Sequence, residues 1–188
     1  EAVHRNFSRS FGAWAASLHE TNPSVPRVVL MDGPPDPLVA RIASCLNVRI
    51  ITVPILHNAK MGANPSWRAC LAKLHLWNPS VMAPATRVAF LDPDTIALGD
   101  LSELFRFPHR NLSFRAVPES GEACSQRIYE ACLRRWAARA EPNIGVMAVR
   151  PSMDTFERMR ADALHGSWFS DQIFWGHFLW PVFAKEEI

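Results

Sequence analysis

The sequence predicts an α/β sandwich with a largely parallel sheet. Apolar runs that suit buried strands alternate along the chain with segments of helical periodicity. The strand runs are continuously apolar, which is typical of strands that are covered on both faces. Turn-forming Pro, Gly and Asn residues separate the runs. This order of elements is typical of βαβ units, in which crossover helices cover both faces of the sheet.

The first half of the chain predicts three helices and two strands. Apolar residues at helical spacing mark the first helix, and turn-forming residues at 21–24 end it. A loop over 57–65 precedes the third helix, for which Ser66 is a suitable N-cap. The helices are expected over 6–19, 37–46 and 66–77, and the strands over 27–31 and 48–53.

The second half predicts three more strands, and the first of them runs directly into a pair of carboxylates. The strands are expected over 87–91, 113–117 and 143–149, and the helices over 100–105, 126–138, 152–164 and 170–179.

The bulk composition fits a single domain. The chain has 188 residues, of which 48% are hydrophobic and 20% are charged, so it can bury a core. The formal net charge of +2 is too small to indicate nucleic acid as the main partner. No apolar run reaches the roughly 18 residues that a membrane span needs. We therefore expect one domain over 1–188, incomplete at both ends, with no membrane span.

Cysteine and histidine give no clear metal signal. The four cysteines form no Cys-x-x-Cys pair, so neither a zinc site nor a redox pair is indicated, and we expect buried free thiols. Three histidines are candidate metal ligands, and we interpret each as structural. The residues concerned are Cys45, Cys70, Cys124, Cys132, His57, His75 and His177.

Asp92 and Asp94 form the most informative motif. In an extended backbone their spacing would put both side chains on one face. Two such oxygen ligands suit Mg²⁺ or Mn²⁺, which often also hold substrate phosphates. Asp-Pro and Pro-Asp are also common in surface turns, so residues 90–95 alone leave a plain turn open. The position at the carboxyl end of a strand, where α/β sheets bind ligands, favours the functional interpretation.

Four blocks of the sequence carry a further signal. They span 72–77 (AKLHLW), 87–105 (RVAFLDPDTIALGDLSELF), 142–152 (PNIGVMAVRPS) and 171–174 (DQIF). In this order they resemble the KLxxW helix, the Asp-x-Asp strand end, the strand with Asn and Gly, and the Asp-Gln segment of glycosyltransferase family 8, the glycogenin and galactinol synthase family. The resemblance implies the GT-A fold, a Rossmann-like nucleotide-diphospho-sugar transferase fold with α/β/α layers and a mostly parallel sheet.

The resemblance also implies an activity. It implies retaining transfer of a hexosyl group from a UDP-sugar to a hydroxyl of a carbohydrate, polyol or protein acceptor. Asp92 and Asp94 would hold Mn²⁺, or Mg²⁺, against the diphosphate, and Asp92 would also contact the ribose. A homodimer is compatible with this assignment, and both the cytoplasm and the Golgi lumen stay open as compartments.

Five further residues receive roles from the same resemblance. Lys73 would bring a positive charge to the diphosphate or the sugar, or else is a solvated helix residue. Asn143 would bind the donor sugar, and Gly145 would let the backbone approach it, although both also suit a plain strand start. Asp171 and Gln172 would bind sugar hydroxyls and stabilise the anomeric centre. The alternative for Asp171 is a carboxylate favoured by a helix N-terminus.

Departures from the family pattern keep two other functions open. The family's opening strand and its HxxGxxKPW segment, which carries the third metal ligand, have no counterpart in these residues, and Pro93 replaces Ala or Gly. One alternative is an inactive remnant that binds a nucleotide sugar or a partner. Another is a haloacid-dehalogenase-type phosphatase with Asp92 as nucleophile, which Asp94 and Thr95 would fit, although the expected downstream Asp pair is missing.

Overall fold

The computed structural model describes residues 2–54, 56, 71–106, 114–118 and 142–165, of which 2–7, 114–118 and 142–143 are described by backbone alone. The helices expected over 126–138 and 170–179 lie outside these ranges. No helix among the described residues combines the length and apolarity that crossing a membrane requires.

Two helices and two parallel strands open the chain, as predicted. Helix α1 buries a stripe of apolar side chains that recur at three- and four-residue intervals. Helix α2 begins after Asp36, whose carboxylate accepts a hydrogen bond from the Leu38 amide at 2.8 Å. It ends before Asn47, which adopts a left-handed conformation (φ 51°) that Asn tolerates well. The elements are α1 (Ala2–Thr21), β1 (Arg27–Met31), α2 (Pro37–Cys45) and β2 (Val48–Thr52).

The middle of the chain holds two 3₁₀ helices around a short strand. The helix expected over 66–77 is a 3₁₀ helix, Leu71–Trp77, in its described part. It stops because Pro79 disfavours helical backbone at Asn78, whose side chain instead caps the next helix by accepting from the Ser80 amide at 2.9 Å. The elements that follow are α3 (Pro79–Met82), β3 (Val88–Leu91) and a 3₁₀ helix (Ser102–Phe105). Helix α3 was not predicted.

Three strands form the second hydrogen-bonded group, and a helix follows it. They are β3, β4 (Phe114–Pro118) and β5 (Pro142–Val149), and α4 (Met153–His165) comes next. The strand order is β3–β5–β4, and β5 runs antiparallel to both neighbours, so β3 and β4 share one direction. The α/β class is confirmed, and β5 is a local exception to the parallel arrangement. Its apolar sequence indicates burial on both faces but carries no information about direction.

Two hydrophobic cores lie on opposite faces of the strands. The α1 core consists of Phe11, Trp14, Ala15, Leu18, Val39, Ala43, Val48 and Ala97. The α4 core includes Leu71, Leu74, Trp77, Met147, Phe156 and Met159. Strand β1 contributes Val29 to the α1 core and Leu30 to the α4 core, and β3 likewise contributes Leu91 and Phe90. The strands therefore form one layer between two helical layers.

We expect Met159→Ala to lower the free energy of unfolding by about 2–5 kcal/mol, because it leaves a cavity in the α4 core. Met153→Ala is the matched control, since Met153 lies on the same helix but is 42% exposed. The control should change the free energy by less than about 0.5 kcal/mol. Urea denaturation measures both, and equal losses would contradict the assignment of the buried face of α4.

Candidate functional site

The carboxylate pair lies in a tight turn directly after β3. The Thr95 amide and hydroxyl both donate to the Asp92 carbonyl, at 3.0 and 2.7 Å. Pro93 occupies the second position of this turn, where its fixed φ is favourable. The argument for a shared face assumed an extended backbone through Asp94, and that part of the prediction is wrong. The strand ends at Leu91, so the turn and not strand alternation positions the two carboxylates.

A main-chain hydrogen bond fixes the start of this turn to β5. The Asp92 amide donates to the Gly145 carbonyl at 2.8 Å, one step beyond the last paired residues of β3 and β5. On the other side of β5 the register slips, because Ala116 pairs with Met147 whereas Val117 pairs with Asn143. Residues 144–146 therefore form a bulge beside the motif. Gly145, a predicted site residue, makes direct backbone contact with Asp92.

Lys73 is brought against Asp92 from a distant part of the chain. Its Nζ lies 3.1 Å from Asp92 Oδ1 and 3.4 Å from Oδ2. The Lys73 side chain is only 12% exposed, against 30% for Asp92, and its ammonium lies 4.9 Å from the centre of the Phe90 ring. The interpretation of Lys73 as a solvated helix residue is therefore wrong. A largely shielded cation therefore adjoins the first carboxylate of the motif.

The 3₁₀ helix that carries Lys73 is anchored at two places. The His75 ring nitrogen Nε2 lies 3.2 Å from the Pro54 carbonyl, after β2, and is assigned as the donor. The Ser152 amide donates to the Trp77 carbonyl at 2.8 Å, which links the helix to the start of α4. The His75 ring also packs against the Phe156 ring in a tilted arrangement, with ring centres 5.4 Å apart and an angle of 41° between the planes. These contacts support the structural interpretation of His75.

Burial lowers the pKa of the His75 imidazole, and the hydrogen bond to Pro54 opposes that effect in part. The neutral ring is therefore the form that packs in the α4 core.

The carboxylates fit part of a coordination shell for a hard divalent cation. Asp94 is exposed and Asp92 is partly buried, and both offer oxygen ligands of the kind that Mn²⁺ and Mg²⁺ prefer. No group of three or more His, Cys, Asp or Glu residues suited to a metal occurs among the described residues. Among the described residues the turn supplies two candidate ligands, and one of them already has a cationic partner.

Several predicted residues cannot be placed in this arrangement. The backbone of Asn143 pairs with Val117, but its side chain is not described. The expectation of buried thiols is wrong for Cys45, which is exposed. Residues outside the described ranges are Asp171, Gln172, His57, His177, Cys70, Cys124 and Cys132.

Phe90, beneath the ammonium, was not predicted as part of the site, and Thr95, in the turn, was considered only for the phosphatase alternative. A readable signal existed only for Thr95, because Ser and Thr hydroxyls often bond to nearby backbone in turns.

Comparison with solved structures shows the GT-A fold of glycosyltransferases. The bifunctional glycosyltransferase WbbM, in its apo form, superposes with a TM-score of 0.61 and 20% identity over 90% of this chain and 35% of its own. The galactosyltransferase LgtC, in complex with donor and acceptor sugar analogues, gives 0.63 and 17% over 90% and 66%. An active-site mutant of LgtC gives 0.59 and 18% over 90% and 65%. The chain thus spans between 35% and 66% of these proteins.

Comparison of the sequence with protein-family models and with curated proteins gives no match. At identities of 17–20%, the structural likeness establishes the fold. The resemblance to glycosyltransferase family 8 stays a prediction.

The buried His75 should make stability depend on pH. Because its pKa is lower in the folded protein than the ordinary 6.5, the unfolded chain binds the additional proton more readily. The free energy of unfolding should fall as pH drops below about 6.5, and His75→Gln should reduce that fall. Urea denaturation between pH 5 and pH 8 measures this, with exposed His165→Gln as control. An unchanged pH profile in His75→Gln would refute the assignment.

Proposed function

We propose that the chain forms part of a retaining glycosyltransferase. It would move a hexosyl group from a UDP-sugar to a hydroxyl of a carbohydrate, polyol or protein acceptor. The observation that carries the proposal is the contact of Lys73 with Asp92 at the carboxyl end of β3. Lys73 and Asp92 lie 19 positions apart in the sequence and belong to different predicted blocks, yet they meet where α/β sheets bind ligands. The fold shared with glycosyltransferases supports the same activity.

Asp92 and Asp94 would bind the cation that accompanies the donor diphosphate. When bound, Mn²⁺ or Mg²⁺ would neutralise the departing diphosphate as a Lewis acid. The turn around Pro93 presents one carboxylate to solvent while holding the other against the protein. Asp92, at the protein side of the turn, would also contact the ribose.

Lys73 would act as the resident positive charge of the donor site. In the ligand-free protein its ammonium neutralises Asp92 in surroundings that include an aromatic ring. A diphosphate offers several negatively charged oxygens, so the ammonium can bind it while a divalent cation takes over Asp92. Because the Lys73 side chain is only 12% exposed, few water molecules can compete with the diphosphate for its ammonium.

The sugar itself would lie beside β5 and the segment that contains Asp171. Asn143 stands two residues before Gly145, whose carbonyl accepts from the Asp92 amide, and would donate to a sugar hydroxyl. Asp171 and Gln172 would bind other hydroxyls and stabilise the oxocarbenium-like anomeric carbon in the transition state.

The two alternatives predict activities that differ from sugar transfer and from each other. An inactive remnant would bind a UDP-sugar without transferring the sugar. A phosphatase would hydrolyse a phosphate monoester and lose that activity in Asp92→Asn, but the fold shared with glycosyltransferases favours sugar transfer.

We expect Asp94→Asn to weaken Mn²⁺-dependent UDP binding at least about tenfold, equivalent to roughly 1.4 kcal/mol, because it removes a metal-binding charge. Calorimetry with and without Mn²⁺ measures the effect. Asp154→Asn is the control, since Asp154 is an exposed carboxylate on α4 whose side chain is 82% exposed. If the protein does not bind UDP, or binds it equally well without Mn²⁺, the transferase assignment is refuted.

Lys73→Met should affect the cation and the nucleotide in opposite directions. Loss of the ammonium removes a cation that competes with Mn²⁺ for Asp92, so affinity for Mn²⁺ alone should rise several-fold, while affinity for UDP should fall. Lys73→Arg keeps the charge and should leave Mn²⁺ affinity near that of the native protein. Electron paramagnetic resonance of unbound Mn²⁺ gives the first affinity. A Met variant with unchanged Mn²⁺ affinity would contradict the assignment of Asp92 as a ligand.

A further inference from the structure

The Lys73 ammonium contacts two different kinds of group at the end of β3. Asp92 offers it a carboxylate, with Oδ1 at 3.1 Å and Oδ2 at 3.4 Å. Phe90 offers it a ring face, whose centre lies 4.9 Å from Nζ. That distance is within the limit of about 6 Å at which a ring face attracts a cation. The ammonium therefore has a charged contact and an uncharged contact in the same place.

Strand geometry brings these two groups to the same side of β3. Phe90 packs against the α4 core, whereas its neighbour Leu91 packs against the α1 core. Asp92 continues the ladder by one hydrogen bond, from its amide to the Gly145 carbonyl, before the turn begins. Because successive residues of an extended segment point to opposite faces, Asp92 follows Phe90 onto the α4 side. The 3₁₀ helix that bears Lys73 packs in the α4 core, so its ammonium meets both groups.

The carboxylate and the ring differ in the cations that they accept. A carboxylate binds either an ammonium or a hard divalent cation, because both are attracted to charged oxygen. A ring face attracts a cation through its quadrupole and supplies no oxygen ligand. Mn²⁺ and Mg²⁺ require oxygen ligands, so neither replaces the ammonium on the ring. The ring of Phe90 is thus selective for the ammonium, whereas Asp92 accepts both kinds of cation.

This difference becomes important when a divalent cation binds Asp92. The Lys73 ammonium then loses its carboxylate contact and is repelled by the arriving charge. A lysine side chain is flexible, so a weakly held ammonium would turn away from the metal. The contact with Phe90 is uncharged and does not involve Asp92, so it survives the exchange.

We propose that Phe90 is a positioning residue that keeps the Lys73 ammonium in the donor site when Asp92 changes its partner. Phe90 acts through Lys73. An ammonium that stays in place binds an incoming diphosphate without first being ordered, which limits the entropy lost on binding. The role of the diphosphate rests on the proposed function, whereas retention of the ammonium by the ring can be tested without it.

NMR of the Lys73 side chain tests the retention directly. Protons that lie over an aromatic ring resonate upfield, so the Lys73 Hε protons should be shifted upfield in the native protein and should lose that shift in Phe90→Leu. Asp92→Asn removes the negative charge without requiring that a metal binds. We expect the Hε protons to keep at least half of their upfield shift in Asp92→Asn. Hε protons at the position of free lysine in Asp92→Asn or in the native protein would overturn the proposal.

A second test changes the charge of the ring face and leaves its shape nearly unchanged. Phe90→pentafluorophenylalanine reverses the quadrupole of the ring, so it repels a cation. Calorimetry with Mn²⁺ should show UDP binding about two- to fivefold weaker, the effect of one cation–ring contact. The same replacement in Lys73→Met should have no further effect, because the ring acts through the ammonium. Phe11→pentafluorophenylalanine is the matched control, since Phe11 is 0% exposed in the α1 core on the other face of the strands.

The results separate this proposal from the transferase assignment. Unchanged UDP affinity in Phe90→pentafluorophenylalanine would overturn the proposal. An equal loss with and without the Lys73 ammonium would also overturn it, because Phe90 would then act by packing alone. Absence of UDP binding in every variant would instead refute the transferase assignment, and the NMR measurement on Asp92→Asn would still decide whether the ring retains the ammonium.

Discussion

The strands of the central layer bury both of their faces, and the site depends on that constraint. Because β1 and β3 send successive side chains into the α1 core and the α4 core, a shift by one residue would exchange side chains of different shape between two close-packed cores. The end of β3 is thereby fixed in space. Asp92 is the first residue after the strand, and it leaves the layer at a defined point, held by the Gly145 carbonyl.

The same packing explains why an ammonium of low exposure lies beside Asp92. The 3₁₀ helix that bears Lys73 is held by the Pro54 carbonyl at His75 and by the Ser152 amide at Trp77. Neither anchor involves the ion pair. The lysine is therefore positioned by the α4 core, and its contact with Asp92 follows from that position. A charge held in this way loses little freedom when it exchanges one anionic partner for another.

Local sequence signals predicted the elements well and the site in part. The bounds of β1 were predicted correctly because a short apolar run lies between turn residues. Helical periodicity over seven residues could not distinguish a 3₁₀ from an α helix at Leu71–Trp77. The low exposure of Lys73 could not be predicted, since its partner lies 19 residues away and the contact exists only in the folded layer. Pro93 indicated a turn at Asp92, but the prediction that both carboxylates share one face assumed an extended backbone through Asp94.

The turn that carries the two carboxylates has a thermodynamic consequence for any ligand that bridges them. Pro93 restricts φ, and the amide and hydroxyl of Thr95 both hold the Asp92 carbonyl. The backbone between the carboxylates therefore has little conformational entropy left to lose. A ligand that matches their separation avoids most of the usual ordering cost, whereas one of a different size cannot recover affinity by adjusting the loop. The stiffness of this turn thus favours discrimination between ligands by size.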